Sequence, residues 1–412
     1  MFKKILLCSI AVPLVASAAP NSYIIKLKKD VPLDSLNTYG KLEKIETKRL
    51  HFVKLTPSTT LSAQNIQQIS QNQDVEYVEP NIEYKAYNNI SDPDFSKQWS
   101  LKNTGRNSGG FFSWGKIGED VKAIDAWENE TGSKNIKIAV IDTGIDYTHP
   151  DLVDNIWTNE AELNGEEGVD DDGNGYIDDI YGWDFASDDN NPMDGNGHGT
   201  HCAGVIAASH NDIGIRGLMK EAQLISLKFL GDNGSGTLEG AIKAISYATS
   251  AGAQIMSNSW GGGGFSQALY DVIEEAQNEG ILFVAAAGNS RNDNDRWASY
   301  PASYDLENII SVGASDGKGN KARFSNYGKT TVDVFAPGVD IHSTYKNGAY
   351  KKLSGTSMAT PIVSGILGLM MSQNESLNFT ELKQKIMDTT DQSRSLGSYS
   401  VSGRVNAAKA LQ

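Results

Sequence analysis

Gly355-Thr356-Ser357-Met358-Ala359-Thr360-Pro361 runs directly into an apolar stretch, Ile362-Val363-Ser364-Gly365-Ile366-Leu367. The stretch reads as a buried helix, and the glycine turn ahead of it sets Ser357 at the helix N-terminus. Unpaired N–H groups there favour developing negative charge. A serine hydroxyl alone is a weak nucleophile; it needs a histidine base and a carboxylate that orients the base. Both lie upstream, Asp142 within AVIDTG (139–144) and His198 within GNGHGTH (195–201).

Around these segments, short β-rich runs alternate with helical ones from Phe95 onward. IKIAVID (136–142), QLISLKFL (223–230), AQIMSNSW (253–260), ILFVAAAG (281–288) and NIISVGA (308–314) read as strands. HGTHCAGVIAAS (198–209), TLEGAIKAISYATSA (237–251) and SQALYDVIEEAQNEG (266–280) have helical periodicity. The alternation predicts an α/β fold: three layers, a mostly parallel sheet with helices on both faces. Sites on such sheets gather at the carboxyl ends of the strands. Asp142 and Asn289 are expected to end strands, and His198 and Ser357 to open helices.

Residues 20–87 read as a separate small α+β unit. SYIIKLKK (22–29) and LHFVKLTP (50–57) alternate as strands, SAQNIQQISQN (62–72) as a helix, and VEYVEPNIEYKAY (75–87) as a last strand. Asn88–Asp94 is polar with a proline and reads as a linker. Residues 1–19 read as a secretory signal: Lys3 and Lys4, the apolar Ile5–Val15, then a small-residue cleavage site. No later segment is apolar enough to span a membrane. Cys8 leaves with the signal, and Cys202 alone remains, so no intrachain disulfide staples the exported chain.

The 412 residues carry a formal net charge of −15. Residues 1–87 are net +3 and the remainder net −18, too acidic a body for nucleic-acid binding. Between Lys137 and Arg216 lie 18 Asp/Glu and no basic residue, a self-repelling imbalance that reads as a solvated acidic face or as cation sites. DDDGNGYIDD (170–179) favours the second over a plain acidic turn. It matches the opening D-x-D-x-N-G of a calcium loop, with Asp170, Asp172, Asn174 and Tyr176 at alternate positions. The twelfth position is Tyr181 where a bidentate Glu is usual, so Asp178 or Asp179 must compensate.

At the three motifs the chain resembles the subtilisin-like serine peptidases, or subtilases. They stand in the order Asp, His, Ser of that family, not that of chymotrypsin or the α/β-hydrolases. The resemblance covers nearly everything after the signal. It implies Ser357 as nucleophile, His198 as general base then acid, and Asp142 as orienting carboxylate. Asn289 in AAAGNS and the N–H of Ser357 would meet the tetrahedral oxyanion. Gly234-Ser235-Gly236 and Ser259-Trp260-Gly261 resemble the segments that pair with an extended peptide. Trp260 stands where a smaller apolar residue is common and would wall the primary specificity pocket. Broad cleavage after large apolar or aromatic residues is expected. Structural Ca²⁺ is implied at a second site: side chains of Asp92, Asp151 and Asn211, with carbonyls of Ser209, Ile213 and Ile215. VEYVEPNIEYKAY resembles the end of an inhibitory propeptide, ferredoxin-like in fold, cut after Tyr87. The peptidase domain would then be 88–412, with an acidic insert near 155–190. The whole implies a secreted, autoprocessed endopeptidase acting as a monomer on proteins and peptides, with its own propeptide as inhibitor and folding aid. Cys202, four residues after His198, reads as a buried small residue, and His201 as a core histidine; His51, His149, His210 and His342 carry no strong signal. A binding protein on a dead scaffold would not need Asp142, His198, Asn289 and Ser357 together, and an α/β-hydrolase would need GxSxG, where residue 359 is Ala.

Overall fold

A computed structural model describes residues 21–29, 36–47, 49–81, 90–106, 115–393 and 395–412. The signal expected at 1–19 and the expected cut after Tyr87 lie outside these residues. The chain divides into two compact units, Met1–Asn89 and Ile90–Gln412.

In the first unit, β1 (Tyr23–Leu27), β2 (Gly40–Ile45), β3 (His51–Pro57) and β4 (Val75–Pro80) form an antiparallel sheet in the order β2-β3-β1-β4. Between β3 and β4 runs α1 (Ala63–Ser70), opened by a reciprocal capping box between Ser62 and Asn65. Alternate residues Tyr23, Ile25 and Leu27 bury against Val53, Leu55, Ile69 and Val75, as period-2 patterning requires. The strand β2 was not anticipated: GKLEKI has too few apolar residues to show alternation, and β3 draws it into the sheet.

The second unit begins earlier than the linker reading allowed. Asp92 is buried beside Arg216, and Asp94 N–H donates to Gly214 O at 2.8 Å, so Ile90–Asp94 is folded structure. After the short helix α2 (Ala123–Ala126) come β5 (Gly132–Asp142), α3 (Glu160–Leu163), β6 (Gly182–Asp184), α4 (His198–Ala207), β7 (Glu221–Lys228), α5 (Leu238–Ser250), β8 (Ile255–Asn258), α6 (Gln267–Asn278) and β9 (Leu282–Ala286). They continue with β10 (Ile309–Ser315), β11 (Val334–Pro337), the hairpin β12 (Ile341–Tyr345) and β13 (Ala349–Leu353), α7 (Thr356–Gln373), α8 (Phe379–Asp388) and α9 (Ala407–Ala410). Seven strands make one sheet, β11-β10-β9-β8-β5-β7-β6, with every pairing parallel.

The sheet is buried on both faces, which is why its strands read as apolar runs. Ile138 and Val140 of β5 pack with α4 and α7, while Ala139 and Ile141 pack with α5 and α6. Leu282 and Val284 against Phe283 and Ala285 repeat the split in β9. The strand order reverses at β5, which lies between β7 and β8. A crevice outside the carboxyl ends opens at such a switch point, and Asp142 is the last residue of β5.

Candidate active site

Three elements bring the site together. Asp142 ends β5, His198 begins α4, and Ser357 is the second residue of α7. The N-cap of α4 is Gly197 at φ 106°, where a Cβ would lie 2.4 Å from the Tyr345 ring, so only glycine fits this entry turn. His198 Nδ1 meets Asp142 Oδ1 at 2.7 Å, and the same oxygen accepts the Thr143 N–H at 2.7 Å. Asp142 is fully buried and its Oδ2 has no partner among the described residues. Burial works against a charged His198, but the charge and hydrogen bond of Asp142, with the charge of Asp194, outweigh it and hold the imidazole above its usual range.

Ser357 is held by a consequence of sequence. Pro361 lies four residues on inside α7 and has no N–H to donate to the Ser357 carbonyl. That carbonyl accepts instead from Ser259 Oγ at 2.8 Å and from Cys202 Sγ at 3.4 Å. The Ser357 hydroxyl donates to Ser259 O at 3.0 Å. Cys202 is buried as expected, and burial pushes its thiol well above its ordinary range, which disfavours the reactive thiolate.

Asn289 lies three residues beyond β9 rather than at its end. Its Oδ1 accepts from Thr356 N at 2.9 Å and from Thr356 Oγ1 at 3.1 Å, which leaves Nδ2 as the free donor, close to Gly355. Thr356 Oγ1 also accepts from Gly288 N at 3.2 Å. The sequence reading missed Thr356, although its place beside Ser357 was the available signal.

All six residues expected to bind substrate line one cleft of about 720 Å³ that reaches His198. Gly234, Ser235 and Gly236 form one side; Ser259, Trp260 and Gly261 form the other, with Phe229, Leu230, Leu238 and Leu269 supplying apolar surface. The Trp260 ring is half-buried and stands edge-on to Phe229 at 4.8 Å.

The acidic residues divide into two groups. In the 170–179 loop, carboxylate oxygens of Glu162, Asp172 and Asp179 lie within 4.8 Å of one another. Asn159 and Asn174 bond both Asp172 and Asp179, and Tyr247 hydroxyl bonds Asp179. Asp170 stands apart from this group: its oxygens take the N–H groups of Gly173, Asn174 and Gly175. Tyr176 packs its ring on Trp183 and Tyr247. Asp178 turns to the Gly168 N–H, whereas Asp179 faces inward. Glu162 escaped the sequence reading because it lies eight residues before the motif.

At the second group, Asp151 is fully buried and its Oδ1 is unpartnered among the described residues. Its Oδ2 accepts from Ile215 N at 2.9 Å and Tyr350 hydroxyl at 3.0 Å. Burial, reinforced by the nearby charge of Asp92, pushes its carboxyl up to about 6. Asn211 N–H reaches Asp92 at 3.3 Å, and its Oδ1 takes the Ile213 N–H. Ser209 N–H bonds the Asp151 carbonyl. The Arg216 guanidinium also sits on Asp92, a competitor the sequence did not reveal. His149, which carried no signal, accepts the Asp151 N–H at 3.1 Å and so helps place it. His201 is fully buried against the Ile341 and Lys351 carbonyls, and burial pushes it down to about 3.

Over residues 133–405 the sequence matches the Subtilase family. It is 40% identical over 304 residues to thermitase of Thermoactinomyces vulgaris, spanning 73% of this chain and 98% of that protein. A thermophilic serine proteinase of Bacillus sp. (strain AK1) is 38% identical over 348 residues, 84% of this chain and 75% of its own. Subtilisin Savinase of Lederbergia lenta is 38% identical over 284 residues, 68% of this chain and 92% of its own.

Proposed function

The chain belongs to the subtilase family and is a serine endopeptidase, and we propose that Asp142, His198, Ser357 and Asn289 carry its chemistry. The carrying observation is the 2.7 Å bond from His198 Nδ1 to Asp142. It fixes the tautomer that leaves Nε2 to accept a proton. Rotation of the Ser357 hydroxyl from Ser259 O to His198 Nε2 primes the attack on a peptide carbonyl. His198 takes the proton, and buried Asp142 stabilises the imidazolium. The oxyanion is met by Asn289 Nδ2 and by the Ser357 N–H at the start of α7. His198 then protonates the leaving amine, and water hydrolyses the acyl-enzyme by the same steps in reverse.

Substrate would lie extended between Gly234–Gly236 and Ser259–Gly261, with a large apolar or aromatic side chain in the cleft beside Trp260. Residues 1–19 would direct export and residues 20–87 would inhibit and assist folding until the chain cuts itself after Tyr87. Ca²⁺ would be held by Asp151, Asp92, Asn211 and the carbonyls of Ser209, Ile213 and Ile215. The orphaned, buried Asp151 Oδ1 fits that use, because an uncompensated buried carboxylate oxygen is costly. Asp172, Asn174 and Asp179, with Glu162, offer oxygens for a second ion. There it would supply a structural contribution only, neutralising carboxylates that otherwise repel.

Expression of wild type and Ser357→Ala tests this reading by mass and by casein hydrolysis. The wild type should hydrolyse casein and begin near Asn88; Ser357→Ala should be inactive and accumulate uncut precursor, or precursor beginning near Pro20. An Asn88 terminus in Ser357→Ala made without other proteases would rule out self-processing.

A further inference from the structure

Asp142 and His198 belong to different elements, so something must set their separation. A second carboxylate, Asp194, stands just ahead of α4 and is 3% exposed. Its Oδ1 accepts from Thr143 Oγ1 at 2.9 Å, Asn196 N at 2.9 Å and Gly197 N at 2.7 Å. Its Oδ2 accepts from Thr200 N at 2.9 Å and Thr200 Oγ1 at 2.7 Å. Thr143 follows Asp142 directly, and its Oγ1 also accepts the Gly199 N–H at 2.9 Å. One carboxylate thus binds both the end of β5 and the first turn of α4, on either side of His198.

We propose that Asp194 is a positioning residue of this site: through Thr143 it fixes the separation of Asp142 and His198, and it lends His198 a second negative charge when the imidazole takes a proton. The proposal rests on the triad reading above. Five donors on one buried carboxylate are far more than a turn needs. They also orient the charge rigidly, so that it stabilises the imidazolium without reorganising. Among the groups around His198, Asp142 and Asp194 are the charges that favour its protonated form. Cys202 and His201 on α4 are neutral. Tyr345 reaches the Asn196 carbonyl and Lys346 the Gly195 carbonyl from the hairpin, while Lys228 at the end of β7 is paired with Asp184 and Asp232.

The test is kcat/KM against pH on a chromogenic peptide, for wild type, Asp194→Asn, Thr143→Val, Thr143→Ser and Ser357→Ala. The imidazole must be neutral to act as base, so activity is lost as pH falls through the His198 pKa. Removing a negative charge lowers that pKa, so the acid limb of Asp194→Asn should move to lower pH by about half a unit. Its kcat should fall about 10- to 100-fold from misplacement of the base. Thr143→Val keeps the charge: its limb should stay in place while kcat falls, and Thr143→Ser should restore kcat. An unmoved limb in Asp194→Asn, or wild-type kcat in Thr143→Val, overturns the proposal. Should Asp194→Asn not fold, the Thr143 pair decides alone, since a merely structural threonine would not be rescued in kcat by serine. Activity surviving in Ser357→Ala would overturn the triad reading, a failure distinct from this one.

Discussion

Asn289 is gripped by its amide oxygen, which takes both the N–H and the hydroxyl of Thr356, so its nitrogen is the end left free to meet developing charge in the proposed mechanism. A donor used chiefly in the transition state affects kcat more than binding. Asn289→Ala should therefore lower kcat by about 10²–10³-fold, as removal of such a donor does in subtilisin, with KM little changed. Thr356→Val removes one of two anchoring bonds, and one hydrogen bond is worth about 1 kcal/mol, so its loss should be nearer 10-fold. Steady-state kinetics on one peptide check both; a change confined to KM would assign Asn289 to substrate binding instead. The residues proposed as nucleophile, base and carboxylate could be picked out from the sequence because each sits in a motif whose residue types the chemistry demands. Thr356, Thr143 and Asp194 were not, because a threonine or aspartate near a turn has many bland uses. What sets them apart is partners as distant in sequence as the 67 positions between Thr356 and Asn289.

Elements impose a tighter constraint than their sequence periodicity reveals. In α4 every residue after His198 is buried, so no amphipathic stripe exists and the helix is gripped all round. At Gly204 a Cβ would lie 2.1 Å from Thr344 Oγ1 and 3.0 Å from Thr344 Cβ on β12. Gly204→Ala gains about 1 kcal/mol in helix propensity but faces overpacking of about 1–3 kcal/mol. Overpacking should prevail, lowering the melting temperature by a few degrees and reducing kcat as α4 shifts His198 against Asp142. Calorimetry with peptide kinetics checks this; an unchanged or raised melting temperature would mean that the hairpin yields freely. The long strands β5, β7 and β10 and the helices α4 to α7 were readable as continuous apolar or periodic runs. The strands β6, β11, β12 and β13 were not: they span three to five residues, too few for a period, and their place is set by pairing. Ile90–Asp94 looked like a linker because its polar residues are held by partners more than 110 positions away.

At the scale of the whole molecule, charge and cross-linking decide how the fold survives. After residue 19 the chain holds one cysteine, Cys202, buried and free, so no intrachain disulfide restrains that part of it. The stretch between Lys137 and Arg216 nonetheless folds 18 carboxylates into one region. Asp184 among them is neutralised locally by Lys228. Asp151 and the Glu162, Asp172 and Asp179 group have no basic partner among the described ion pairs. A cation that binds only the folded state stabilises it by about 2.7 kcal/mol at a hundredfold excess over its Kd. Chelation by EDTA should therefore lower the melting temperature and hasten autolysis, starting in exposed loops. Asp172→Ala should shorten the half-life at limiting calcium yet keep a near wild-type initial rate in saturating calcium, because Asp142, His198 and Ser357 are untouched. Asp170→Ala separates the two acidic roles in the same loop: its carboxylate ties the Gly173–Gly175 turn, so its cost should persist in saturating calcium. Unchanged melting temperature and half-life under EDTA, together with metal analysis of the untreated protein finding no calcium, would mean that the fold tolerates the repulsion of these carboxylates unaided.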